Sequence, residues 1–444
     1  MEEKAGDDMN QGPWSKFRVP LFLSLLSACG VVSAESASPH VAQASNAVVL
    51  IKAHLQHGLL EDDEAEGRWS GSGFLIDREN GWIVTNAHVS GYGPTNLRVR
   101  FEDQNEFTRA ERVFVDSKHD VAVIKVDPEL VRDREPLTLD CDYTFNRGDK
   151  IFSVGHPKSQ YFTFSTGVLS GQKDFHVDGH YFTTDTVVES GSSGGPAVMS
   201  DTGKVIGMMS ASFDSSDLGF LTTSRDICRI TELLAEGKNP ARPSFKFQTM
   251  VVNDELSNLV GTVFHPAIPL LPGDEILSWN GNLWHPDADG DLADAMRGYD
   301  GDRVTLSVLR DGMEELFEIP VSQGRSMHEK EWLFFSGLLI TEDDKKDSSF
   351  VNGNTAGPIL VIESVDTDYD STSDIEFDYG NEIFSVDSKQ GLNLRGLYDH
   401  LQQVQASDSV DVVARVYEWT PETYSVLMRY SFPVEQLDCS WCDR

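Results

Sequence analysis

The chain has 444 residues, 39% hydrophobic and 24% charged, which fits a soluble globular protein of two or three domains rather than one. Asp and Glu number 72 against 36 Lys and Arg, giving a formal net charge of −36. Such a surface repels polyanions and so excludes nucleic acid and anionic lipid surfaces as partners, while the length allows a core large enough to fold without a metal or disulfide staple.

The first element in the chain is an export signal. In "KFRVPLFLSLLSACGVVSAES" the basic Lys16 and Arg18 precede a short apolar run and then small residues. Two processing routes compete: "LSAC" (Leu26 to Cys29) resembles a lipobox that would leave Cys29 lipidated, and "VSA" suits cleavage after Ala34. Residues 1–34 are read as the signal peptide, with Met9 as an alternative start. The mature chain is expected in the periplasm or cell envelope, touching a membrane only through a lipid anchor at Cys29.

From Val48 to about Ala235 short β-branched and aromatic runs alternate with turn clusters, as in "AVVLIKAHL", "GSGFLID", "GWIVTNAHV", "DVAVIKV", "KIFSVGHP" and "VIGMMSAS". That spacing predicts a barrel or a sandwich. "SRDICRITELLAEG" then predicts a helix with Ser224 as N-cap and Gly237 as stop, and residues 237–247 a linker.

Three residues in this β segment form a chemical constellation. "ESGSSGGP" surrounds Ser193 with glycines that let the backbone turn tightly, freeing the Gly191 and Ser193 N–H groups to meet a developing oxyanion. His88 ends the apolar run "GWIVTNAHV", where it can serve as base. Asp120 stands at the mouth of "DVAVIKV", where it can orient that imidazole. Each alone is ordinary; in the order His, Asp, Ser within one all-β stretch they match a known triad order.

The remainder holds a weak repeat. "GDEILSWNG" begins at Gly273 and "GNEIFSVDS" at Gly380, an offset of 380 − 273 = 107 residues. Each is followed by a helical stretch and a strand, so two copies of a small α+β module are expected. The acidic "TEDDKKDSSFVNGNTAG" reads as an exposed loop. The last motif, "CSWC" (Cys439 to Cys442), is open to three readings: a redox pair, half a zinc site or a small structural disulfide, of which a structural or inert role is preferred.

"GSGFLID…GWIVTNAHV", "HDVAVIKV", "GDKIFSVGHP", "TTDTVVESGSSGGPAV" and "GKVIGMM" resemble the trypsin-like protease domain of the HtrA (Do-like, DegP-like) serine proteases over about 190 residues. The resemblance implies a mainly β protein, with a trypsin-like double β-barrel over residues 40–236 and its triad between the barrels. Two PDZ-like modules would follow: a degenerate one at 248–325, another at 330–436, and a CxxC tail at 437–444. It implies no metal or organic cofactor, and a homotrimer. "FFSGLLI" in the second module resembles a PDZ carboxylate-binding loop, pointing to Phe335, Ser336, Gly337 and Leu338. By the same resemblance Val187, six residues before the nucleophile, lies near the floor of the primary specificity pocket, and Ser210 beside Asp120. A pocket without an acid would leave a bound lysine or arginine unpaired, so cleavage after small or medium aliphatic residues is expected. The chain departs from the family at Glu189-Ser190, where Asn-Pro is usual, and at Ser192, where Asn is usual.

The favoured function is an exported endopeptidase acting on unfolded or misfolded envelope proteins, with PDZ modules that take C-terminal peptides. The rival is a chaperone or PDZ-type scaffold that no longer cuts; a weaker third is an esterase.

Overall fold

The computed structural model describes residues 39–442 except 56–67, 92–94, 176–178, 213–217, 253–254, 264, 344–358, 366–380, 405–407 and 419–423. The export signal, with Cys29 and Ala34, and most of the acidic loop lie outside the described residues.

After helix α1 (Pro39–Ala47) come β1 (Val48–Leu55), β2 (Arg68–Asp77), β3 (Trp82–Thr85), the one-turn helix α2 (Ala87–Ser90), β4 (Thr95–Phe101), β5 (Thr108–Asp116) and β6 (Val121–Lys125). The six strands close into an antiparallel barrel in the order β1-β2-β3-β6-β5-β4. Period-2 patterning drives this: Leu97, Val99 and Phe101 of β4 are buried while Asn96 and Arg98 face solvent.

A second barrel, β10-β11-β12-β9-β8-β7, is built from β7 (Lys150–Gly155), β8 (Thr163–Phe175), β9 (Gly179–Thr184), β10 (Pro196–Met199), β11 (Val205–Ser212) and β12 (Gly219–Thr223). Closure removes the exposed edges that open sheets carry. One hydrophobic cluster unites Phe74, Ile83 and Val123 of the first barrel with Phe152, Val198 and Met208 of the second, so the barrels share apolar packing across their boundary.

Helix α3 (Ser224–Ala235) follows and stops at Gly237, whose φ is +70°. Its N-cap is Thr223, not Ser224. The Ser224 hydroxyl instead donates to the Asp140 carbonyl at 2.6 Å, and Thr223 Oγ1 donates to Asp226.

Cys228 on α3 is disulfide-bonded to Cys141, 87 residues earlier, in the segment that joins the barrels. Constraining a loop of that length in the unfolded chain is worth about 4–5 kcal/mol by chain entropy. Cys228→Ser, or reduction, is therefore expected to lower the urea midpoint of the protease segment markedly. A midpoint equal to that of the oxidised chain would contradict the staple. Cys439 and Cys442 also form a disulfide, the structural alternative for "CSWC".

Two further sheets complete the chain. The first has the order β13-β14-β15-β17-β18 and is built from β13 (Phe247–Val252), β14 (Glu255–Val263), β15 (Glu275–Trp279), β16 (Asn282–Leu283), β17 (Arg303–Arg310) and β18 (Met313–Pro320), with β16 paired to β15. The helical stretch expected here is two one-turn helices, Pro286–Asp289 and Leu292–Ala295.

The second sheet has the order β24-β23-β22-β21-β20-β19-β25. Its strands are β19 (Trp332–Phe335), β20 (Leu338–Asp343), β21 (Ile359–Val365), β22 (Asn381–Val386), β23 (Ser409–Glu418), β24 (Tyr424–Pro433) and β25 (Asp438–Cys439), with the helix Leu394–Gln403 between β22 and β23. β14-β15-β17-β18 and β21-β22-β23-β24 run in the same succession, which is the structural form of the repeat. Both sheets are consistent with PDZ modules.

Phe335, Ser336, Gly337 and Leu338 form a two-residue hairpin joining β19 to β20, with Phe335 paired to Leu338 and all four residues buried. The Ser336 N–H is engaged by the Glu435 carbonyl at 2.9 Å.

Candidate functional site

His88 sits on α2, the single helical turn that follows β3. Asn86 ahead of it holds an extended backbone and anchors the turn, its Nδ2 donating to the Asp120 carbonyl at 3.0 Å. Asp120 ends the β5–β6 turn with φ of +52°, a left-handed conformation that Asp tolerates better than most residues. That backbone turn aims its carboxylate at His88.

The imidazole Nδ1 lies 2.9 Å from both Oδ1 and Oδ2, and the His88 main-chain N–H donates to Oδ1 at 3.1 Å. A carboxylate only accepts, so Nδ1 carries the proton and Nε2 is left with a lone pair. The His88 side chain is 41% exposed and Asp120 only 14%, so the carboxylate is shielded while the imidazole stays open to solvent.

Ser193 comes from the turn before β10. Ser192 N–H donates to the Glu189 carbonyl at 2.8 Å and Gly195 N–H to the Ser192 carbonyl at 3.0 Å, which winds the segment tightly. Two glycines are required. Gly191 has φ of +93° and a Cβ there would fall 2.3 Å from the His156 carbonyl oxygen; at Gly194, with φ of +87°, it would fall 1.9 Å from the Ser72 carbonyl oxygen. Ser72 N–H donates to the Ser193 carbonyl at 2.7 Å and Gly194 N–H to the Met209 carbonyl at 2.7 Å. Among the described residues neither the Gly191 nor the Ser193 N–H donates to a main-chain carbonyl, so both remain available to an oxyanion.

Ser210 joins the two halves. Its hydroxyl donates to Asp120 Oδ2 at 2.7 Å, and its carbonyl accepts the hydroxyl proton of Ser193. His88, Asp120, Ser210 and Ser193 thus form one continuous hydrogen-bonded chain across the barrel boundary. The Ser193 hydroxyl is held on the Ser210 carbonyl.

Val187 is 59% exposed, while the neighbouring Val188 is buried. Residues 213–217, beyond Ser210, lie outside the described residues. Glu189 is bound by Lys158, Oε1 to Nζ 2.8 Å, rather than presenting a free acid.

Two participants escape sequence reading: Ser72 in "GSGF" and His156 in "VGHP". Both are buried behind the serine turn. Cys141, Cys228 and Glu232 cluster closely enough to suggest a metal site, but the two sulfurs are joined in the disulfide.

Residues 71–208 match the trypsin-like peptidase domain family. The chain is 33% identical over 185 residues to "Protease Do-like 1, chloroplastic" of Arabidopsis thaliana, covering 39% of this chain and 41% of that protein. It is 30% identical over 292 residues to a "Probable periplasmic serine endoprotease DegP-like" of Pseudomonas savastanoi pv. phaseolicola, covering 59% and 57%. The chain therefore spans about half the length of the curated relatives it matches. In fold it is similar to the solved "HtrA-type protease AlgW with tripeptide", with a TM-score of 0.50 at 21% identity, over 64% of this chain and 95% of that one. The chain carries a trypsin-like peptidase domain whose relatives are the HtrA and DegP-like serine proteases.

Proposed function

We propose that the chain is an exported serine endopeptidase that hydrolyses peptide bonds of unfolded or misfolded envelope proteins. The observation that carries this reading is the hydrogen-bonded chain from His88 through Asp120 and Ser210 to Ser193, beside two uncommitted amides.

Ser193 Oγ attacks the scissile carbonyl as His88 Nε2 takes its proton. The carbonyl oxygen gains the electron pair and is held by the Gly191 and Ser193 N–H groups. The imidazolium, stabilised by Asp120, returns its proton to the leaving amine. Water then repeats the sequence on the acyl-enzyme, and Ser193 regains its proton.

Domain limits follow the same reading: protease 40–236, linker 237–247, PDZ-like modules 248–325 and 330–436. A homotrimer, binding of C-terminal peptides, a periplasmic location and a lipid anchor at Cys29 belong to this proposal. The protease names of the relatives support the enzyme, and the periplasmic DegP-like name supports the location. Val187 at the pocket and Glu189 paired with Lys158 favour aliphatic over basic side chains at the cleaved bond.

Incubation with unfolded casein tests both points. The chain should degrade it, Ser193→Ala should not, and peptide mapping should place the cuts after small or medium aliphatic residues. Equal degradation by both proteins would end the nucleophile assignment, and cuts confined to Lys and Arg would end the pocket argument. Suppression of aggregation by both, without cleavage, would select the chaperone reading instead.

A further inference from the structure

His156 follows β7 and has no solvent exposure. Its Nδ1 lies 2.8 Å from Ser72 Oγ, and Ser72 Oγ donates to the Gly191 carbonyl at 2.8 Å. A hydroxyl has one proton, and this one is spent on Gly191. The bond between ring and hydroxyl must therefore be donated by Nδ1–H.

That fixes the tautomer. Nε2 is buried with no partner among the described residues, so protonating it would place a bare N–H donor in apolar surroundings. Burial, aided by the Arg100 charge, pushes the imidazole pKa down to about 3, so the ring is neutral at ordinary pH. Phe162 packs edge-on against it, with ring centroids 4.6 Å apart.

The backbone beside this relay acts on the same turn. Lys158 N–H donates to the Ser190 carbonyl at 2.8 Å. In a trans peptide the C=O and the following N–H point in opposite directions. Holding the Ser190 carbonyl on Lys158 therefore fixes the Gly191 N–H on the opposite side of the peptide. Holding the Gly191 carbonyl on Ser72 fixes the next peptide as well.

We propose that His156 and Ser72 are positioning residues that clamp the Gly191 carbonyl and so keep the oxyanion turn formed. The proposal rests on the protease reading for its consequence in catalysis. The clamp touches no substrate, so it acts on the turnover step: a misplaced donor weakens transition-state stabilisation more than ground-state binding.

The test uses the full chain and a fluorogenic peptide with an aliphatic residue at the cleaved bond. Ser72→Ala and His156→Leu should lower kcat by a factor of about 10–100 with KM within about twofold, somewhat less than deleting an oxyanion donor outright. His156→Asn, whose side-chain N–H falls where Nδ1–H now lies, should keep kcat within about threefold of the parent, because the charge-neutral donor is retained. Wild-type kcat in a normally folded His156→Leu, or a loss in His156→Asn as deep as in His156→Leu, would overturn the clamp.

A readout independent of turnover separates this from failure of the protease reading. In the Ser193→Ala chain, nitrogen NMR of His156 should show a protonated Nδ1 and an unprotonated Nε2. A protonated Nε2 with a bare Nδ1 would overturn the relay whatever the activity.

Discussion

Asp120→Asn is expected to lower kcat about 10⁴-fold with little change in KM, because the amide stabilises the wrong imidazole tautomer. Asp120 accepts from His88 Nδ1 through both oxygens, from the His88 main-chain N–H, and from the Ser210 hydroxyl. An Asn side chain can turn its NH₂ toward Nδ1. The ring then carries its proton on Nε2 and cannot take one from Ser193. The substitution is nearly isosteric, so the thermal midpoint should stay close to that of the parent. Steady-state kinetics on a fluorogenic peptide check this, and a loss of less than about tenfold would contradict the orienting role given to Asp120.

Arg297→Leu is the second large effect, and it falls on stability. Asp116, at the end of β5, and Lys118 and His119, in the turn that leads to Asp120, meet the segment around the short helix Leu292–Ala295. Arg297 Nη2 donates to Asp116 at 2.5 Å, Nε to Asp294 at 3.1 Å and Nη1 to the Pro240 carbonyl at 2.6 Å, from a side chain only 2% exposed. Arg242 bonds Asp291 and Asp294, and Lys118 reaches the same two carboxylates at 2.7 and 2.9 Å. Three carboxylates thus face three basic side chains, with His119 between Asp116 and Asp294.

Removing Arg297 leaves Asp116 and Asp294 buried and undercompensated, a loss of about 3–5 kcal/mol. A denaturation midpoint within error of the parent would refute this account of the cluster. The cluster also sets the response to acid. Burial pushes the Asp116 carboxyl up, but Arg297 and His119 outweigh it and hold it well below the ordinary range; Asp294 is lowered against burial by Arg242, His119, Arg297 and Lys118. A depressed carboxyl stabilises the fold above its unfolded pKa of about 4, and that stabilisation is lost as pH falls below it. Arg297→Leu should therefore show a shallower loss of stability between neutral pH and about pH 3 than the parent.

The barrels were legible because alternating strands and turn clusters are local signals. His88, Asp120 and Ser193 could be picked out as candidates for the same reason, since each stands at the end of a readable strand or inside a glycine turn. The repeat at Gly273 and Gly380 announced two modules in the same way. The segment that the PDZ resemblance singled out at Ser336 has a form that sequence did not show: Ser336 and Gly337 both have positive φ, 49° and 87°, the signature of a tight two-residue hairpin.

The buried ion cluster was invisible. Asp116, Arg242 and the segment from Asp291 to Arg297 are far apart in the chain, and each charge alone reads as solvated. His156 and Ser72 were hidden likewise, 84 residues apart and meeting only when the barrels close.

The most direct test of the central claim is covalent labelling by a dialkyl fluorophosphonate, in which Ser193 Oγ displaces fluoride at phosphorus and His88 takes the proton. Peptide mapping by mass spectrometry should find one adduct, on Ser193, formed rapidly in the parent chain and only very slowly in His88→Ala. No adduct on Ser193, or equal labelling rates in the two proteins, would contradict an activated serine at this site.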